Sequence, residues 1–230
     1  MSDTLTTRQF EFLHSIDTPT VCNLIEIVSP HRRGFGYTVK HLHCPFPELP
    51  PMVGFAKTVK IVSKDAPSGD AGSYMSRRLD YIDYVAAEPR PSISVIEDID
   101  GEHAGYGAFW GEVQTNVHKA LGVLGVVTNG SVRDIPMVAK DFQMLAGSIS
   151  PSHAYVRIEE FGTPVNIHGM DVRSGDLIHA DQHGAVVVPM NKVDEMMKAL
   201  EGLTTREAII IEAARDPDMT IEKLKAAIRG

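Results

Sequence analysis

Apolar positions recur at helical spacing between Gly111 and Leu121, at Val113, Val117, Ala120 and Leu121, and then give way to the β-branched run Gly125-Val126-Val127-Thr128. The first pattern predicts an amphipathic helix that Gly111 can open without steric strain and Leu121-Gly122 can close. The second predicts a short buried strand. Asn129-Gly130 is expected to break that strand. Arg133 and Asp134 then fall just past its end, on a loop or the first turn of the next helix, where α/β proteins commonly place ligand-binding groups.

The same reading extends along the chain. Thr6 is placed to cap a helix through about His14, and Thr18-Pro19 to cap and open another whose buried face is Val21, Leu24, Ile25 and Val28. Residues 30–51 lack periodicity and read as a long irregular loop carrying His31, Arg32, Arg33, His41 and His43. A strand over 54–62, a polar loop over 64–72, a helix over 73–86 and a strand over 92–96 follow, then a short helix over 135–142 and a strand over 144–149. Between Thr163 and Pro189, strand-like pieces at 164–167, 177–180 and 185–188 are punctuated by Gly169, Gly175 and Gly184, which predicts a compact β layer. After Asn191 the pattern is helical, with Val193, Met196, Met197 and Leu200 on one face and a second stretch to Arg215. Asp216-Pro217 interrupts it, and Thr220 caps a final short helix with Ile221, Leu224 and Ile228 on one side.

Composition narrows the function classes. At 230 residues and 43% hydrophobic content the chain can bury a sizeable core, read as one domain over 1–230 with its core at about 18–190 and a helical extension over 191–230. A formal net charge of −8 without any Lys/Arg block provides no electrostatic footprint for nucleic acid or an anionic membrane surface. A small molecule or a protein is the expected partner. Cys22 and Cys44 form no C-x-x-C pair, the polar segment Met1 to Thr7 has no leader pattern, and the longest apolar run, 185–189, is far too short to span a bilayer. These features predict a cytoplasmic location.

Several residues invite chemistry. Glu97-Asp98-Ile99-Asp100-Gly101-Glu102 bunches its acids too tightly for a twelve-residue calcium loop and reads as a solvated turn. His118, His153, His168, His179 and His183 all titrate near neutral pH in principle, but spacing selects none as a base. The turn residues between His179 and His183 argue against a paired metal site. Taken singly, an Arg-Asp neighbour pair is usually a surface or capping feature, and an acid in a first helical turn simply complements the helix dipole.

Two separated motifs change that balance. Gly111-Glu112 followed in register by Arg133-Asp134, and Ser174-Gly175-Asp176-Leu177-Ile178-His179-Ala180-Asp181-Gln182-His183-Gly184-Ala185-Val186-Val187-Val188-Pro189, together resemble the RraA-like family, which includes 4-hydroxy-4-methyl-2-oxoglutarate aldolases. The resemblance covers about Thr18 to Pro189. It implies an α/β swivelling β/β/α domain, similar in shape to phosphohistidine domains, with helical N- and C-terminal additions, assembled as a homotrimer or homohexamer with sites between subunits. It also implies a carbon-carbon lyase that splits a 4-hydroxy-2-oxo acid, such as 4-hydroxy-4-methyl-2-oxoglutarate or 4-carboxy-4-hydroxy-2-oxoadipate, to pyruvate, with oxaloacetate decarboxylation beside it.

Such a cleavage needs either a Schiff-base lysine or a divalent metal to stabilise an enolate. Lys119 has no evident desolvating partner, which favours the metal. By resemblance, Asp134 would ligate Mg2+ or Mn2+ and Glu112 would hold one of its waters. Arg133 would stabilise the 2-oxo oxygen, and the N–H groups of Gly111, Glu112, Val113 and Gln114 would receive the substrate carboxylate. One departure stands out: family aldolases often carry an acid three positions after the metal-binding Asp, and here that residue is Met137. The family also contains a protein-binding regulator of ribonuclease E, which is the rival expectation. Relatives have been named demethylmenaquinone methyltransferases, but no G-x-G-x-G-type loop follows the first strand here.

Overall fold

The structure is a computed structural model that describes residues 5–69 and 71–230. The first four positions of the polar N-terminal segment, and Asp70 in the 64–72 loop, lie outside the described residues. Strand β1 (Met52–Val62) runs parallel to β2 (Ser92–Asp98), which runs parallel to β4 (Val123–Val132), which in turn runs parallel to β5 (Gln143–Ile149). The short β3 (Ala108–Trp110) continues alongside β4 where β2 stops, Ala108 opposite Ser131 and Trp110 opposite Val132. The other edge of β1 is shared by two antiparallel neighbours, β9 (Leu177–Asp181) beside 52–55 and β6 (Arg157–Phe161) beside 59–62, and β10 (Gly184–Val188) closes the sheet on β9.

The central strands are buried on both faces, which is why they are nearly continuous apolar runs rather than alternating ones. On one face, Ala56, Ile93, Val95, Val127 and Leu145 pack against the separate hairpin of β7 (Val165–Ile167) and β8 (Met170–Val172). On the other, Val59, Ile61, Ile96, Val126 and Val132 pack against Tyr81 and Val85 of α3 (Ala71–Ala86). Val53, Phe55, Leu177 and Val186, further along, meet α1 (Thr7–His14), α2 (Thr18–Val28) and the first turns of α5 (Val193–Arg215). Val126 and Val127 are both fully buried, on opposite faces, and each such side chain contributes about 1.5–3 kcal/mol by leaving water. The result is a mixed α/β fold of three layers, hairpin, sheet and helices, with helical additions at both ends.

Several sequence expectations are corrected. Asn129-Gly130 does not break β4, which runs on to Val132. The side chain of Asn129 instead accepts from the N–H of Asp98 and donates to its carbonyl, standing in for a backbone partner, and the ladder to β5 shifts register here. No helix fills 135–142; only a 3-10 turn at Ile135–Met137 forms, because Asp134 takes a left-handed conformation (φ 54°) and Val138 is extended. Asp17, not Thr18, caps α2, accepting from Thr20 N–H at 2.8 Å. Thr18 is used elsewhere: its N–H donates to Asp181 and its hydroxyl meets Nδ1 of His179, tying α2 to β9. The C-terminal helix is one continuous piece to Arg215, and α6 (Ile221–Arg229) leaves Ile221 and Ile228 exposed.

The acidic turn is solvated at Ile99, Gly101 and Glu102 but not at Asp98. Asp98 is 2% exposed and accepts from the N–H groups of Asp100 and Gly105, while Asp100 accepts from the N–H groups of Ser63 and Lys64. Burial pushes the Asp98 carboxyl above the usual range, against the pull of those two N–H donors. These carboxylates pin the turn after β2 to the end of β1.

Candidate active site

The start of α4 (Glu112–Ala120) and the end of β4 converge because β3 leads straight into the helix. The Arg133 N–H donates to the carbonyl of Trp110 at 2.9 Å, extending the β3–β4 ladder by one step. Gly111 is the helix N-cap, and its lack of a side chain leaves the Asp134 carboxylate where it is: a Cβ there would stand 2.5 Å from Oδ2 of Asp134 and 3.2 Å from Cγ of Arg133. The Glu112 N–H donates to Oδ2 of Asp134 at 3.3 Å, and Arg133 Nη1 lies 3.5 Å from Oδ1 of the same carboxylate. The first intrahelical bond comes at Thr115, whose N–H donates to the carbonyl of Gly111. The first-turn N–H groups of Val113 and Gln114 therefore precede it.

The structure thus brings Gly111, Glu112, Val113, Gln114, Arg133 and Asp134 into one place. The Glu112 N–H, however, serves Asp134 rather than standing open to a ligand. The buried face of α4 also differs from the apolar spacing: Thr115 and His118 are its buried residues, while Val113 is exposed. Thr115 donates its hydroxyl to the carbonyls of Gly111 and Glu112 and accepts from the N–H of Ala139 at 3.0 Å, clamping the helix start to the chain beyond Asp134. His118 offers Nδ1 to the carbonyl of Gln114 at 2.7 Å, so that nitrogen carries the proton and Nε2 accepts from the Tyr81 hydroxyl at 2.7 Å. Burial holds His118 down to about 4 and pushes the Tyr81 hydroxyl up, so both are neutral struts beneath the site. Neither Thr115 nor His118 announces this role in the sequence, since a polar residue inside a helix gives no sign of which side it faces.

Lys119 directs its Nζ to the carbonyl of Lys140. The other histidines lie elsewhere: His179 is buried between Thr18 and the carbonyls of Leu13 and Ile16, and His183 meets Asp181. Among the described residues no three His, Cys, Asp or Glu side chains converge as a cation cage. What the site offers is one partly exposed carboxylate, Asp134, beside the acid Glu112. That donor set of hard oxygens suits a hydrated Mg2+ or Mn2+ that keeps most of its own waters.

The model of the RraA-like family, described as Aldolase/RraA, matches residues 18–187, most of the chain and all of this site. The chain belongs to the RraA-like family. A putative 4-hydroxy-4-methyl-2-oxoglutarate aldolase of Halalkalibacterium halodurans is 26% identical to this RraA-like protein over 156 residues, covering 67% of each chain. Protein DlpA of Legionella pneumophila is 26% identical over 154 residues, which are 64% of this chain but only 23% of DlpA. The solved structure of Streptomyces coelicolor RraAS2, an unusual member of the RNase ES inhibitor RraA protein family, superposes with a TM-score of 0.68 at 18% identity, covering 90% of this chain and 97% of that one. The family therefore holds both aldolases and RraA-type regulators, and the mixed α/β fold of this RraA-like chain is theirs. Among the described residues no helix is long and apolar enough to cross a membrane.

Proposed function

We propose that this RraA-like protein is a divalent-metal-dependent carbon-carbon lyase that cleaves a 4-hydroxy-2-oxo acid to release pyruvate, with oxaloacetate decarboxylation as a side activity. The observation that carries the reading is the clustering of Arg133 and the Glu112 N–H on the single carboxylate of Asp134 at the open start of a helix. An acid oriented by a helix start and a guanidinium yet still partly open to solvent is placed to meet a cation, and the guanidinium and helix start beside it are placed to meet an anionic substrate. We further propose that the chain works as a single domain with its core at about 18–190, in the cytoplasm, as a homotrimer or homohexamer.

Asp134 would hold the Mg2+ or Mn2+, with Glu112 acting through a water. When bound, the ion supplies positive charge that draws electrons toward the 2-oxo group. Arg133 binds that same oxygen and stabilises the negative charge it gains, as a permanently charged, planar donor can. The first-turn N–H groups of Val113 and Gln114 receive the substrate carboxylate at the positive end of α4. The C3–C4 bond breaks, its electron pair passes into the enolate of pyruvate, C4 becomes a carbonyl as its hydroxyl proton is released to solvent, and protonation at C3 completes pyruvate. The same enolate follows loss of CO2 from oxaloacetate.

The test is pyruvate release from 4-hydroxy-4-methyl-2-oxoglutarate and from oxaloacetate, with Mg2+ and with EDTA, for the wild type and Arg133→Ala. Metal-dependent release that Arg133→Ala abolishes supports the lyase. No release from either compound by intact, folded protein sinks it and moves weight to the regulator of ribonuclease E, which binding to that enzyme would then establish.

A further inference from the structure

A cavity of about 370 Å³ opens at the carboxyl end of β2, where the strands of α/β sheets commonly deliver ligand groups. Its volume suits a small molecule. No residue of the Arg133–Asp134 cluster borders it. Three pinned segments enclose it. The β7–β8 hairpin turns through His168-Gly169, whose φ angles of 50° and 93° are both positive, as a two-residue turn requires. The Val39 N–H donates to the His168 carbonyl at 2.9 Å, and Gly169 runs so close that a Cβ there would stand 3.1 Å from Cγ2 of Val39. On the strand side, the Asn166 N–H donates to Oε2 of Glu97 at 3.0 Å, and the Asn129 amide fixes both backbone groups of Asp98. The hairpin turn, the segment at 39–40 and the end of β2 thus hold one another in place without filling the space between them.

Opposite charges border this space without meeting. Glu97 and Lys40 both line it, yet no ion pair joins them. Oε1 of Glu97 and the Lys40 ammonium have no hydrogen-bond partner among the described residues. The half-buried His168 ring, which also lines the cavity, has none either. Burial, and then the charge of Lys40, hold that imidazole below its ordinary value, so at neutral pH it is an uncharged donor near a cation. Asp98 borders the cavity too, but its carboxylate turns to the N–H groups of Asp100 and Gly105. Among the described residues no three metal-ligating side chains converge, so Glu97 is not part of a cation cage. Val39 and Ile99 add exposed apolar surface. A lone carboxylate here would leave Glu97 facing it, and a lone amine would leave Lys40. A molecule carrying both charges pairs with both walls, and an aliphatic substituent on it covers Val39 and Ile99.

We infer that this cavity binds a zwitterionic α-amino acid with a short aliphatic side chain, Glu97 receiving its ammonium group and Lys40 with His168 its carboxylate. The inference stands apart from the lyase reading, because the cavity shares no residue with that site.

The experiment is isothermal titration of the full chain with glycine, L-valine and L-leucine, and with isovalerate and isobutylamine, which are valine without its ammonium and valine without its carboxylate. The same titrations are made on Glu97→Gln, which keeps an acceptor for the Asn166 N–H, on Lys40→Met and on Arg133→Ala. Lys40 is exposed, so Lys40→Met carries the test if Glu97→Gln does not fold. The expected result is binding of valine or leucine, weaker by about tenfold or more for either half-molecule and in Glu97→Gln and Lys40→Met, and unchanged in Arg133→Ala. No binding of any of the three amino acids at about 10 mM overturns the inference. So does isovalerate bound as tightly as valine, which would make this a carboxylate site only. Loss of binding in Arg133→Ala would place the ligand at the start of α4 instead. Valine binding that neither Glu97→Gln nor Lys40→Met weakens, in variants with wild-type thermal midpoints, likewise removes the ligand from this cavity.

Discussion

The N–H of Glu112 donates to Oδ2 of Asp134 at 3.3 Å, so the start of α4 holds one carboxylate in place while the carboxylate of Glu112 itself stays exposed. The two acids therefore have different environments, although the backbone of one bonds the carboxylate of the other. One is positioned by backbone and guanidinium, and the other is free to meet water.

That arrangement depends on the absence of a side chain at Gly111. Gly111→Ala places a methyl group 2.5 Å from Asp134 Oδ2, so the carboxylate and the Arg133 stem must move. The expected outcome is a folded protein destabilised by about 1–3 kcal/mol, with Mg2+ affinity and kcat/KM for pyruvate release each lowered about tenfold or more. Isothermal titration and the coupled pyruvate assay check this; wild-type values in both would show that the Gly111 contact does not position Asp134.

Asp134 itself is in the left-handed region at φ 54°, which Asn tolerates about as well as Asp. Asp134→Asn is therefore expected to keep its fold and thermal midpoint within a few degrees while losing about a hundredfold or more of metal-dependent pyruvate release. A variant that retains full activity at ordinary Mg2+ concentration would remove Asp134 from the metal site.

Thr115 is the clamp between the helix start and the segment after Asp134. Thr115→Val leaves the Ala139 N–H without its partner inside the protein, which is expected to cost about 1–3 kcal/mol in denaturant unfolding. Thr115→Ser keeps the hydroxyl and is expected to lose much less. If the clamp matters to the site, KM rises in Thr115→Val and recovers in Thr115→Ser.

The buried His118 predicts the acid limb of stability. Its folded value of about 4 lies below the ordinary histidine value near 6.5, so between those limits the unfolded chain binds a proton that the folded chain does not. Its contribution is complete above about pH 6.5 and is lost as pH falls toward 4, a change of about 3 kcal/mol. The buried His179 is shifted the same way and adds to the slope. Urea unfolding at pH 7.5 and pH 5 is expected to show a smaller loss in His118→Gln than in the wild type; equal slopes would place the acid sensitivity elsewhere.

Much of this was legible in the sequence. The short β-branched runs over 125–128 and 185–188 read as strands and lie in β4 and β10, because stiff branched side chains pack well on a pleated surface and the runs are short and bounded by glycine. Thr6, Asp216-Pro217 and Thr220 marked helix ends through local hydrogen bonding and the missing proline N–H. The spacing of Gly111-Glu112 and Arg133-Asp134 matches their meeting in space, since residues on either side of one helix and one strand return to the same edge of a parallel sheet. Only the tertiary structure decided which way polar residues point. The strand continues through Asn129 because the Asn129 amide bonds to Asp98 on β2, thirty-one residues away. Asp98 is buried rather than solvated because N–H groups of its own turn converge on it, and α4 faces the core with Thr115 and His118 because partners at Ala139 and Tyr81 satisfy them. Periodicity records where apolar side chains fall along the chain, whereas a polar side chain's place is set by a partner distant in sequence, and that partner exists only once the fold has formed.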